Sequence, residues 1–159
     1  MCEYCGCQQI AVLEELTREH DAVVAVIGQV RLHLVAGRLD DAARCCRAMT
    51  AILDPHTVVE EDGLFPELSD DYPDHVAALR REHHDIAHVL AEAADAVPTD
   101  SAWPERLQRT MFALREHILK EQDGVFPAAL TSLDGEQWAR VEGVRGRVGG
   151  AHSLPEPPV

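Results

Sequence analysis

Between Ile10 and Ala36 apolar residues recur at helical spacing (Leu13, Leu16, Val23, Ile27, Val30 and Leu34), which predicts a long first helix stopped by Gly37. One polar residue interrupts the stripe: His20, between Leu16 and Val23 on the same face. Asp40 or Asp41 can cap a second helix running to about Asp62, with Cys46, Met49 and Leu53 on one face. That face continues into His56 and Glu60, and Gly63-Leu64-Phe65-Pro66 is expected to end the helix. Tyr72-Pro73 is a helix-start signal for a third helix to about Ala96, with Val76, Leu79, Ile86 and Leu90 inward and His83 in the gap. Val97 to Ser101 reads as a loop. A fourth helix from about Ala102 to Gln122 turns Leu107, Thr110, Leu114, His117 and Glu121 inward. Asp134-Gly135 reads as a turn into a short fifth helix near Trp138 and Val141, and the tail from Gly149 reads as disordered.

Four helices with short connections predict an all-α, antiparallel up-down-up-down four-helix bundle with a short fifth C-terminal helix. The expected division is a Cys-rich segment over 1–9, the bundle over 10–131, the extra helix over 132–148 and a tail over 149–159. Composition agrees: 46% of the 159 residues are hydrophobic but only 4% aromatic, which suits a core of Leu, Val, Ala and Ile. The formal net charge of −14 repels nucleic-acid phosphates and anionic membranes, so neither is an expected partner. No apolar run reaches the roughly 20 residues of a membrane span. The start, Met1-Cys2-Glu3-Tyr4-Cys5, is neither basic nor apolar, so no signal peptide is read and a cytoplasmic location is expected.

The two halves of the chain repeat one another. Leu16-Thr17-Arg18-Glu19-His20 matches Leu79-Arg80-Arg81-Glu82-His83. His56-Thr57-Val58-Val59-Glu60-Glu61-Asp62-Gly63-Leu64-Phe65-Pro66 matches His117-Ile118-Leu119-Lys120-Glu121-Gln122-Asp123-Gly124-Val125-Phe126-Pro127. The repeat therefore keeps the residue types that coordinate metals. Residues four apart share a helix face, so each His-x-x-x-Glu can aim an imidazole and a carboxylate at one point. A carboxylate can bridge two cations, and an imidazole can terminate the coordination of one. Four imidazoles and two carboxylates suit two borderline cations such as iron, manganese or zinc, at the roughly 3.5–4 Å spacing of two-metal sites, with positions left open for a small ligand. With 9 histidines and 28 acidic residues, a His-x-x-x-acid pair or two arises by chance, and His88 with Glu92 forms one that stays outside the site. Specificity comes from the inward phase of all six residues and their recurrence in both halves.

This pattern resembles the hemerythrin-like, or HHE cation-binding, family over roughly residues 10 to 131. The resemblance implies a non-haem centre of two iron ions with an oxo or hydroxo bridge, with manganese or zinc as substitutes. Its ligands would be His20, His56, Glu60, His83, His117 and Glu121, and it would bind O2, hydrogen peroxide or nitric oxide. Oxygen-carrying hemerythrins have a fifth histidine on the third helix and Asp on the fourth. Here the position four after His83 is Ala87 and the fourth helix carries Glu121, which leaves a more open site. The favoured expectation is peroxide or nitric oxide detoxification, an enzyme-like role resting on no catalytic group beyond the ligands. The alternative is an O2, NO or iron sensing and binding module without turnover, and iron storage ranks below both.

Other features carry simpler expectations. Phe65 and Phe126 either wall the site against water or anchor the core. Trp103 and Trp138 read as packing residues, and His33, His75, His84, His88 and His152 as surface or rim residues. Cys45 and Cys46 can sit in the core. Cys2, Cys5 and Cys7 read as free thiols, with a metal or redox role or a contact to a protein partner as alternatives.

Overall fold

The computed structural model describes residues 7–149, with side chains from residue 11 onward. Helix α1 (Cys7–Val35) is followed by α2 (Leu39–Val58), which widens into a π-helical segment (Val59–Leu64) and continues as α3 (Phe65–Leu68). Helix α4 spans Pro73–Ala91. The fourth rod repeats the second: α5 (Trp103–Lys120), a π-helical segment (Glu121–Val125) and α6 (Phe126–Ser132). Helix α7 (Gly135–Val148) completes the chain. The bundle is all-helical, as expected, and its neighbours run α1, α2, α4, α5 and back to α1.

Several expected boundaries move. Helix α2 starts at Leu39, so Asp40 and Asp41 lie in its first turn and not at its cap. The stretch Gly63-Leu64-Phe65-Pro66 does not end the second rod, and the fourth runs past Gln122 to Ser132. Proline lacks an N–H and its ring collides with the carbonyl four residues back, so an α-helix breaks there. Each rod instead widens by one residue. Phe65 N–H donates to the Glu60 carbonyl and Phe126 N–H to the Glu121 carbonyl, both five residues back. Pro66 and Pro127 then fall in the first turn of α3 and α6, where the missing donor costs little. Helix α4 stops at Ala91, short of Ala96. Helix α7 begins where Asp134-Gly135 suggested, closed by a reciprocal cap in which Asp134 accepts from Gln137 N–H and Gln137 from Asp134 N–H.

The core is divided. One apolar cluster holds Val23, Ile27, Met49, Ile52, Ile86, Trp103, Leu107 and Leu114, with Cys45 and Cys46 buried in it. Burial raises both thiols, Cys46 to about 12, so these cysteines act as small apolar residues. The second cluster holds Leu13, Leu16, Val59, Phe65, Leu79, Phe126, Trp138 and Val141. On α1 and α4 the boundary between clusters falls at a histidine: Leu16 and Val23 flank His20, and Leu79 and Ile86 flank His83. Helix α7 lies against the first π segment, α1 and α2. A Cβ added at Gly63 would sit 3.5 Å from the backbone of Val141 and the side chain of Val144, whereas Gly124, its counterpart in the repeat, has no atom within 4 Å. Helix α7 thus covers the first half of the repeat. Among the described residues no helix is long and apolar enough to cross a membrane. Cys2, Cys5, His152 and the tail beyond Gly149 lie outside the described residues, as does the side chain of Cys7.

Candidate metal centre

The polar layer between the two clusters consists of the six residues singled out by the repeat. His20 comes from α1, His56 and Glu60 from the second rod, His83 from α4, and His117 and Glu121 from the fourth rod. Five of the six are 3% exposed or less, and the His83 side chain is 8% exposed, so their nitrogen and oxygen atoms face one another rather than water. Their donor atoms form two groups: His20, His56, Glu60 and Glu121, and then Glu60, His83, His117 and Glu121. Within each group one donor atom from every residue lies within 4.8 Å of the others.

Both carboxylates belong to both groups, and the distances show how. Glu60 places Oε1 3.1 Å from His56 Nε2 and Oε2 3.2 Å from His83 Nε2. Glu121 places Oε2 3.1 Å from His20 Nε2 and Oε1 2.9 Å from His117 Nε2. Each carboxylate thus turns one oxygen to each pair of imidazoles. None of the four oxygens receives a well-aligned hydrogen bond, although all are buried. Two carboxylates buried in a core cost several kcal/mol unless cations, whether bound metals or protonated imidazoles, neutralise them. The donor set fits a metal site, and each of its two groups would offer a cation two imidazoles and two carboxylate oxygens.

The electrostatics of the metal-free protein show the same demand. Burial opposes the charge on His56 and His83, but the Glu60 and Glu121 carboxylates outweigh it and hold both imidazoles at a pKa of about 10. His117 is raised in the same way, through Glu121. Burial also works against the charge on Glu60 and Glu121, yet the surrounding imidazoles keep both below the usual carboxylate range, Glu121 well below it. Protons occupy the place that cations would take.

A second ring of side chains orients the imidazoles. Glu19 accepts from His56 Nδ1, Glu61 from His83 Nδ1 and Glu82 from His117 Nδ1, each at 2.8 Å. With Nδ1 donating outward, Nε2 is the nitrogen left facing inward, where loss of its proton would free a lone pair for a cation. Each of these carboxylates has its own cation. Arg145 of α7 holds Glu19 at 2.9 Å, Arg80 reaches Glu61 at 3.4 Å, and Lys120 pairs with Glu82. Phe126 stacks on His20 with centroids 5.5 Å apart, and Phe65 stacks on His83 at 5.6 Å. In an α-helix the fifth residue on lies about 140° around the axis. The π turn brings it back toward the carboxylate's face, so wall and ligand share one rod.

These partners were not singled out from the sequence, although Glu-His recurs at Glu19-His20 and Glu82-His83 in the quoted repeat. The signal was present, but each glutamate serves a histidine on a neighbouring helix and not the one beside it. Trp103 and Trp138 are buried packing residues, as read. His33 is partly buried beside Arg38 and Asp41, and His75, His84 and His88 are exposed.

A cavity of about 640 Å³ opens between α2 and α4 and reaches His20, His56, His83 and His117. Leu53, Ile86, Leu90, Leu114 and Ile118 give it mostly apolar walls. Ala87, one turn beyond His83, lines the cavity at its exposed rim.

The family model of the hemerythrin HHE cation binding domain matches residues 11–129. Neither the curated proteins nor the solved structures contain a match. That span includes all six residues of the polar layer and both π turns, and the chain belongs to the hemerythrin HHE cation-binding family.

Proposed function

We propose that this protein is a di-iron protein, with His20, His56, Glu60, His83, His117 and Glu121 as its ligands, that processes hydrogen peroxide or nitric oxide. The observation that carries this reading is the cavity that ends on all four imidazoles of a donor set built for two cations. Iron bound there would supply redox chemistry toward a small oxygen or nitrogen species. The protein's own contribution is to hold the ligands and keep bulk water out. Glu19, Glu61 and Glu82 fix the imidazoles of His56, His83 and His117, Phe65 covers His83 and Phe126 covers His20, and the apolar walls admit small neutral molecules in preference to anions. Peroxide disproportionation balances without an outside reductant, two molecules giving two of water and one of dioxygen. Nitric oxide reduction needs electrons from a donor. A reducing cytoplasm fits both activities.

The test is metal analysis of the purified protein with its ultraviolet–visible spectrum before and after peroxide. Two irons per chain and peroxide loss sustained over many equivalents are expected. Zinc alone, or stoichiometric consumption only, would refute the enzyme reading. Glu121→Ala should lose both metals, because Glu121 contacts both pairs of imidazoles, and His56→Ala should lose at least the metal of its own group, in which it is one of only two imidazoles. Two metals retained in either variant would overturn the ligand assignment.

A further inference from the structure

The repeat is broken at one point around the centre. Glu19 and Glu82, each preceding a ligand histidine, reach His56 and His117 in turn. Glu61, following Glu60, reaches Nδ1 of His83. Symmetry would have the residue after Glu121 reach His20, but that residue is Gln122. Among the described residues no group hydrogen-bonds His20 Nδ1, which is buried in a residue only 1% exposed. Three imidazoles are therefore backed by a carboxylate and the fourth is not.

The asymmetry falls on one pair. At the His83–His117 position both imidazoles are backed, by Glu61 and Glu82. At the His20–His56 position only His56 is backed, and its partner Glu19 is itself held by two nitrogens of the buried Arg145. Arg80 and Lys120, the cations on the other two carboxylates, are 41% and 57% exposed, so solvent screens them. A carboxylate on the far nitrogen of an imidazole fixes its tautomer and raises its basicity as a ligand, and losing such a partner costs about 10–100-fold in metal affinity.

We infer that the two metal positions are inequivalent: the His83–His117 position binds first and more tightly, the His20–His56 position second, and Gln122 sets the difference. This rests on the two-metal reading above. Gln122 is a positioning residue here, acting on a metal through His20.

Crystals of the full chain loaded with one equivalent of Zn2+ would read the two occupancies directly from anomalous scattering. With one ion shared between two tight sites, the occupancy ratio follows the square root of the affinity ratio, so about 3- to 10-fold in favour of His83–His117 is expected. Gln122→Glu places a carboxylate where Glu61 stands in the other half, on an equivalent π turn, and should bring the two occupancies within about two-fold. Equal or reversed occupancies in the parent protein would overturn the inference, as would an unchanged ratio in Gln122→Glu. Zinc at neither position would instead remove the two-metal reading itself.

Discussion

Arg145→Met tests whether the fifth helix supports the metal centre or merely covers the bundle. Arg145 is 7% exposed and Glu19 2%, and the guanidinium places Nη2 2.9 Å from Glu19 Oε1 and Nη1 3.1 Å from Oε2. At about 3 Å two unit charges attract by about 5 kcal/mol at an effective dielectric of 20. Removing one partner of a buried pair costs about 3–5 kcal/mol, because the other is left buried and charged. Glu19 is not fully abandoned, since His56 Nδ1 remains 2.8 Å away, and methionine keeps most of the stem's packing. A loss of about 3 kcal/mol is therefore expected, or roughly 6–12 °C in Tm for a domain of this size. The assay is denaturant and thermal unfolding of the metal-free protein followed by circular dichroism, for Arg145→Met, Glu19→Gln and the double variant. Once Glu19 is neutral the missing cation should cost much less, giving a coupling of about 1–3 kcal/mol. A change within about 0.5 kcal/mol for Arg145→Met, or simple additivity in the double variant, would refute the coupling of α7 to the site.

Three further outcomes follow from the same geometry. His56 and His83, held at about 10, are protonated at pH 7 in the metal-free protein, so metal binding should release protons and tighten as pH rises toward 10. Titration calorimetry in buffers of different ionisation enthalpy measures this, and binding without proton release would contradict it. The sign for metal-free stability is opposite: a raised imidazole pKa stabilises fully below 6.5 and the contribution is lost as pH climbs through about 10. Denaturant midpoints that rise between pH 7 and 10 would be inconsistent with that. Gly124→Ala, in open space, should stabilise by about 0.5–1 kcal/mol, whereas Gly63→Leu should destabilise by displacing α7 from Val141 and Val144. Equal effects at the two glycines would mean that α7 does not pack as described.

Much of the bundle and the gathering of the six residues were legible in the chain. A helix has one period, so a histidine in the gap of an apolar stripe must face the core with its neighbours. A repeat of the same residues in the second half then brings two such pairs to one level. What periodicity leaves undetermined is contact across helices: it sets the face of Glu19 or Glu82, but not that each meets the imidazole of the next rod. Arg145 was invisible for the same reason, lying 126 residues from Glu19 on a helix that packs closely over Gly63. The Gly-x-Phe-Pro stretches were misread because proline ordinarily stops a helix, and only packing shows that widening by one residue keeps phenylalanine over a histidine of the polar layer. Residue types and their period thus decided which side chains enter the centre, and tertiary structure decided what holds each one there.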